Sequence, residues 1–271
     1  MIKQLETYKE YILMLHKTGI NSIICHSKAG YGKTYTTIKT LKERQINYEY
    51  VSGVTTAVEM YKLLYNNNGK TIILDDVETI FQDDRIINLL KASLWGVDNK
   101  RVVTYKTSAK VLEDYPDQFE FTGKIIILAN EIKGKNDESF TALISRSLKY
   151  ELKYSLQDII SLCKEIIHLK KLTIEQKIII NNFLDKKVKP EYNFNLRIFD
   201  RLIEFVKYDI KNGVELFLNS LEIDEEILLI INITKKDKPV DEQIQEYKLT
   251  TGKSRSSFFR KKQKMKKDGM L

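Results

Sequence analysis

The sequence predicts an α/β fold, a parallel sheet flanked by helices, followed by an all-helical region and a small basic module at the C-terminal end. Three observations predict it. Residues 21–38 read as a short apolar strand, a loop with Gly30 and Gly32, and the start of a helix. Residues 70–76 and 124–130 are apolar or β-branched runs that stop on polar residues, Asp75 with Asp76 and Asn130, the pattern of strands buried on both faces of a parallel sheet. From Ser155 onward the period of the apolar positions is helical throughout.

In order along the chain, residues 4–17 place Leu5, Tyr8, Ile12 and Leu15 on one face of a leading amphipathic helix. The apolar strand before Ser27 follows, then a helix over 33–44 and an alternating strand at Tyr48, Glu49, Tyr50 and Val51 that ends at the Ser52-Gly53 break. A helix over 55–65 leads to the strand ending at Asp75, and a further helix spans 83–94. Residues 99–107 alternate as a strand with Arg101 and Lys106 at its ends. The strand over 124–129, a helix reaching Arg146 and an alternating strand over 148–152 complete this part. Helical segments are then expected over 155–169, 173–185, 195–211, 214–221 and 225–233, with Lys189-Pro190 as a break.

The loop carries the clearest chemistry. Gly30 and Gly32 let the backbone turn its N–H groups around a phosphate, Lys33 brings a point charge to the outer phosphates, and Thr34 offers a hydroxyl to magnesium. The expected nucleotide contacts are Ser27, Lys28, Ala29, Gly30, Tyr31, Gly32, Lys33, Thr34 and Tyr35. Ser27 stands where the G-x-x-x-x-G-K-[ST] pattern has its first glycine, which requires a negative φ at that position. A second Gly-Lys-Ser, at Gly252, Lys253 and Ser254, lacks a preceding strand and serves as the contrast. Asp75 is placed to hold Mg2+ through its water shell, and Asp76 to orient or deprotonate the attacking water.

With these motifs the chain resembles the AAA+ ATPases over about residues 20–220. Residues 27–34 match Walker A and residues 72–76 match Walker B, with Asp-Asp where Asp-Glu is usual. The resemblance implies ATP and Mg2+ as cofactors and Asn130 as the sensor 1 residue. It implies Arg146 as an arginine finger reaching a neighbouring subunit's nucleotide, as in clamp-loader-type subunits, and Arg197 as the sensor 2 arginine of a helical lid. It also implies a homo-oligomeric ring or spiral, with a hexamer favoured, whose pore would present Arg101, Tyr105 and Lys106 to DNA. The implied domains are a core at 1–153, a lid and linker at 154–234, and a module at 235–271.

The formal charge of +8 is concentrated in that module. Residues 248–271 hold nine Lys or Arg and one Asp, so residues 1–247 balance at 36 of each sign. A helix over 240–249, a turn at Gly252 and a basic helix over 253–267 outline a helix-turn-helix, and the adjacent Phe258 and Phe259 argue for packing. This stretch looks similar to the recognition-helix region of phage and transposon DNA-binding modules, with Lys253, Ser254, Arg255, Ser257 and Arg260 facing DNA. The whole is most like the replication ATPases of phages and mobile elements, a helicase, initiator or helicase loader with a replication protein as partner. Two alternatives fit the same motifs, a protein-remodelling AAA+ machine and a weakly hydrolysing ATP-dependent DNA-binding switch. No apolar run reaches the roughly 18 residues of a membrane span, and acidic residues come too early for a signal peptide. A cytoplasmic protein of a bacterial or archaeal host cell is expected, with two buried cysteines and no metal site built by the protein alone.

Overall fold

The computed structural model describes residues 3–53, 56–98, 100–106, 112–132, 138–236 and 238–271. The chain divides into two compact units, Lys3–Lys153 and Tyr154–Leu271.

The first unit is built on a five-stranded parallel sheet. Its strands are β1 (Ser22–His26), β2 (Tyr48–Ser52), β3 (Thr71–Asp75), β6 (Lys124–Ala129) and β7 (Leu148–Glu151), in the order β2-β3-β6-β1-β7. The central strands are the apolar runs of the sequence. Ile72, Ile73, Leu74, Ile125, Ile126 and Ile127 have no exposed surface, which follows from helices covering both faces. The register aligns Asp75 with Leu128, and His26 with Ala129, so β1, β3 and β6 end together at one edge of the sheet. Two shorter strands, β4 (Val102–Thr104) and β5 (Gln118–Glu120), form a separate antiparallel pair.

Helix α1 (Lys3–Lys17) buries Leu5, Tyr8, Ile12 and Leu15, the four positions its spacing selects. Each such burial is worth roughly 1.5–3 kcal/mol relative to exposure. Helices α2 (Lys33–Glu43), α3 (Ala57–Asn66), α4 (Asp84–Leu94) and α5 (Glu138–Ser145) connect the strands. Thr56 caps α3 by accepting from Glu59 N–H, and Asp83 caps α4 by accepting from Arg85 N–H.

The second unit is helical, with α6 (Leu156–Leu169), α7 (Ile174–Lys186), α8 (Leu196–Tyr208), α9 (Gly213–Asn219), α10 (Glu225–Lys235), α11 (Val240–Thr251) and α12 (Arg255–Lys267). Ser155 and Thr173 start α6 and α7 with capping boxes, closed by Asp158 and Gln176. Phe183, Phe199 and Phe217 are buried together, with Phe183 and Phe217 ring centroids 5.4 Å apart and edge to face. A second cluster joins α10, α11 and α12 through Ile227, Ile230, Ile233, Ile244, Tyr247, Phe258 and Met265. The three-helix group therefore begins at α10, ahead of residue 235. Gly252, at φ 68°, ends α11 in the left-handed conformation, so the second Gly-Lys-Ser is a helix C-cap followed by the Ser254 N-cap. The C-terminal end of α12 returns to the start of α6, where Leu156 N–H donates to Asp268 O at 3.4 Å. Among the described residues, no helix is long and apolar enough to cross a membrane.

Candidate nucleotide site

The end of β1, the turn that follows and the first turn of α2 make the loop. Gly30 and Gly32 take φ of 76° and 80°, the region where a side chain would be strained, while Ser27 stays outside it. Ser27 therefore meets the one condition its substitution for glycine imposes. Its N–H donates to Ala129 O at 3.3 Å, which ties the loop to the end of β6. Lys28 and Ala29 are exposed, Tyr31 is buried, and Tyr35 projects outward with the Lys39 ammonium 5.7 Å from its ring centroid.

Lys33 is buried, and its Nζ donates to Ser27 O at 3.0 Å, Ser27 Oγ at 3.1 Å and Asn130 Oδ1 at 3.2 Å. Asn130 Nδ2 in turn lies 3.5 Å from Asp76 Oδ1. The amide at the tip of β6 thus stands between the loop lysine and the second carboxylate of β3. Thr34 Oγ1 donates to Asp75 Oδ2 at 2.6 Å, which pairs a hydroxyl with a carboxylate. That oxygen set is the hard-donor chemistry Mg2+ requires, and two φ-positive glycines followed by a helix N-terminus are the backbone a polyphosphate requires. The residues present fit both groups.

Asp76 has a φ of 51°. Asp and Asn are several-fold enriched among non-glycine residues in this region, because a short polar side chain can bond to the local backbone. This gives a physical reason for Asp-Asp in place of Asp-Glu: the backbone after β3 turns left-handed at the second acid.

Two supporting groups were not foreseen from sequence. Tyr50 OH donates to Asp75 Oδ2 at 3.1 Å from the neighbouring strand β2. Burial, then the nearby Asp75 charge, raises the Tyr50 hydroxyl pKa, so it stays a donor. The alternation of residues 48–51 gives the strand but not which strand lies beside it, and the partner is what matters. Removing this donor in Tyr50→Phe is expected to raise the Mg2+ concentration for half-maximal turnover several-fold, from the loss of about 1 kcal/mol. Nucleotide affinity measured without Mg2+ should not move; a magnesium titration unchanged from the parent protein would assign Tyr50 to packing alone.

The second group is Tyr8, fully buried on α1, whose hydroxyl lies 2.7 Å from Thr37 Oγ1. Thr37 Oγ1 donates to Lys33 O at 2.9 Å, so Tyr8 is the donor in the pair and the chain braces the first turn of α2. Burial raises Tyr8 well above the ordinary phenol range and pushes the adjacent Cys25 thiol up to about 12, which leaves Cys25 an inert core side chain.

The other expected residues are distributed differently. Arg146 follows α5, and its Nη1 donates to Ala142 O at 3.3 Å. Arg197 is exposed in the first turn of α8, in the second unit, where Asn195 Oδ1 caps the helix by accepting from its N–H. Arg101 corrects an expectation. It is 9% exposed, donates through Nη1 to Ser93 O at 2.9 Å and Gly123 O at 2.8 Å, and lies 5.3 Å over the Phe121 ring, so it anchors the turn after α4 and offers no charge to a polymer. Tyr105 likewise packs inward, 5.6 Å from the Tyr61 ring, and only Lys106 of that trio is exposed. In the basic module, Lys253 is paired with Glu226 at 2.9 Å and Ser254 is the N-cap of α12, accepting from Ser257 N–H; Arg260 is exposed.

No protein-family model matches the chain. A protein of Enterobacteria phage T4, described as an uncharacterized 36.7 kDa protein in the nrdC-mobD intergenic region, is 29% identical over 219 residues. The match covers 72% of this chain and 66% of the phage protein, a little under two thirds of its length. Among solved structures, the Thermotoga maritima RuvB Holliday junction branch migration motor superposes with a TM-score of 0.53 at 12% identity, covering 95% of this chain and 86% of that one. The replication initiator DnaA bound to AMPPCP and single-stranded DNA superposes with a TM-score of 0.51 at 15% identity, covering 87% and 69%. With the parallel order β2-β3-β6-β1-β7, the phosphate loop after β1 and the helical region after β7, the chain has the AAA+ P-loop fold.

Proposed function

We propose that this chain is an ATP-hydrolysing AAA+ ATPase that works as a homo-oligomeric ring or spiral on DNA, in the replication of a phage or mobile element, as a helicase, initiator or helicase loader. The observation that carries the reading is the junction at the sheet edge, where Lys33, Asn130 and Asp76 form one chain of contacts and Thr34 and Asp75 another. In this reading the loop N–H groups and Lys33 hold the ATP phosphates, and Thr34 and Asp75 hold Mg2+. The bound Mg2+ supplies charge neutralisation at the phosphate oxygens. Asp76 orients the attacking water and accepts its proton, and Asn130 fixes Asp76 relative to Lys33. Arg146 serves the neighbouring subunit's site, and Arg197 reports nucleotide state to the helical unit. The superposing structures are of a branch migration motor and a replication initiator, and the net +8 of residues 248–271 fits a polyanionic partner.

The test is steady-state ATP hydrolysis against protein concentration, with and without single- and double-stranded DNA. Turnover rising more than linearly with concentration and stimulated by DNA is the expected result, and turnover indifferent to DNA would favour a protein substrate. Asp76→Asn is expected to keep ATP affinity and lower turnover about 100-fold or more, since asparagine accepts the same left-handed backbone while losing the basic oxygen. A second reading, an ATP-dependent DNA-binding switch with little turnover, is favoured by one observation: the shorter carboxylate at Asp76 is 3.5 Å from Asn130, a long contact for positioning water. It predicts the same ATP affinity and no rate above that of Asp76→Asn.

A further inference from the structure

The nine basic residues near the C-terminal end do not form one surface. Three of them are already spent on partners within the unit. Lys261 Nζ lies 3.2 Å from Asp224 and 3.6 Å from Glu226, Lys253 pairs with Glu226 at 2.9 Å, and Lys262 Nζ donates to Gln243 Oε1 at 3.0 Å while lying over the Phe258 ring. Tyr247 OH also donates to Glu226. Burial alone would raise Glu226, but bonds from Lys253 and Tyr247 hold it below the usual carboxylate range, which marks these lysines as part of the α10–α12 framework.

The opposite face of α12 is different. Ser256, Phe259, Arg260, Gln263 and Lys267 are exposed and recur at spacings of three and four, so they share one side of the helix. Phe259 is 42% exposed although Phe258, its neighbour, is fully buried. The Arg255 guanidinium lies 5.6 Å over the Phe259 ring, and its ion pair with the exposed Asp241 is a loose 3.6 Å. The Phe259 ring packs edge to face on Phe258, with centroids 5.6 Å apart, and leaves its outer part exposed among cations. Its neighbour one turn on is Gln263, whose amide presents a donor and an acceptor side by side.

We infer that this face of α12 reads A·T base pairs in the major groove of duplex DNA, with Phe259 against thymine methyl groups, Gln263 on adenine edges, and Arg260 and Lys267 on the phosphates. The chemistry is complementary on each count: phenylalanine is an apolar partner for the thymine methyl, glutamine is bidentate to adenine N6 and N7, and the cations at the rim of the face meet the backbone. The inference rests on the DNA-acting reading above and adds to it the face, the strandedness and the bases read.

The experiment uses the full chain and two labelled duplexes of equal length, one all A·T and one all G·C, with the matching single strands, titrated over a range of salt. Phe259→Ala and Gln263→Ala are each expected to lower the preference for the A·T duplex roughly tenfold and to leave the salt dependence unchanged. Arg260→Ala and Lys267→Ala should weaken both duplexes alike and lower the log–log salt slope by about 1 each. Lys261→Met, which removes a cation already held by Asp224 and Glu226, should leave the slope as it is. If the parent chain binds no DNA, the DNA-acting reading fails and takes the inference with it. If the chain binds DNA and the four exposed-face variants bind like the parent, or lose only single-strand affinity, the inference fails and the DNA-acting reading stands.

Discussion

Arg146→Ala is expected to lower ATP turnover about 1000-fold at protein concentrations that support assembly, while leaving ATP affinity unchanged. Among the described residues the guanidinium is held at the C-terminal end of α5 by a 3.3 Å bond to Ala142 O, a contact that, in the proposed assembly, it would exchange at little cost for a phosphate oxygen in the neighbouring subunit's site. A cation supplied at that point neutralises charge that develops only in the transition state, so its loss acts on kcat and spares binding. Mixing gives the sharper measurement. A subunit with Arg146→Ala keeps an intact phosphate loop, and one with Lys33→Ala keeps its arginine, so two inactive variants combined should regain part of the parent rate. If the mixture stays as inactive as its components, the arginine does not act in trans, and a single variant with full turnover removes the role altogether.

Lys33→Ala should weaken ATP binding about 100-fold, near 3 kcal/mol, as measured by calorimetry. The cost comes from two sources. The variant removes the charge directed at the outer phosphates, and it removes the donor that holds Ser27 O, Ser27 Oγ and Asn130 Oδ1 in place at 3.0–3.2 Å. Lys33→Arg separates them, because it restores charge without fitting the same buried space, and should recover only part of the affinity. Unchanged affinity in Lys33→Ala would remove the nucleotide site as described.

What could be read from the sequence follows from where periodicity carries information. The strands β1, β3 and β6 are apolar runs ended by functional polar residues, and both parts of that signal are local. The helix starts near Ser155, Thr173 and Asn195 are local too, and in the structure each of these residues caps its helix by accepting from the backbone two or three residues on. The pair β4 and β5 was only half legible: the alternation of residues 99–107 marked β4, which among the described residues is Val102–Thr104, while the three residues of β5 are too few to give a period. Arg101 was misplaced because a charged residue at a strand end is ordinarily solvated; here two backbone carbonyls and the Phe121 ring replace the water, and those partners lie 8 to 22 residues away in sequence. Tyr50 depends on strand order, which no local pattern encodes. The charge of residues 248–271 is countable from the sequence but not which lysines are neutralised, because Asp224 and Glu226 reach Lys253 and Lys261 from the start of α10.

The bond from Leu156 to Asp268 has a mechanical meaning. It joins the first helix of the second unit to the end of its last, so the α6–α12 segment is closed on itself like a buckled strap. Fraying of the residues after α12 must first break this bond, a local cost of about 1 kcal/mol that ties them to the start of α6.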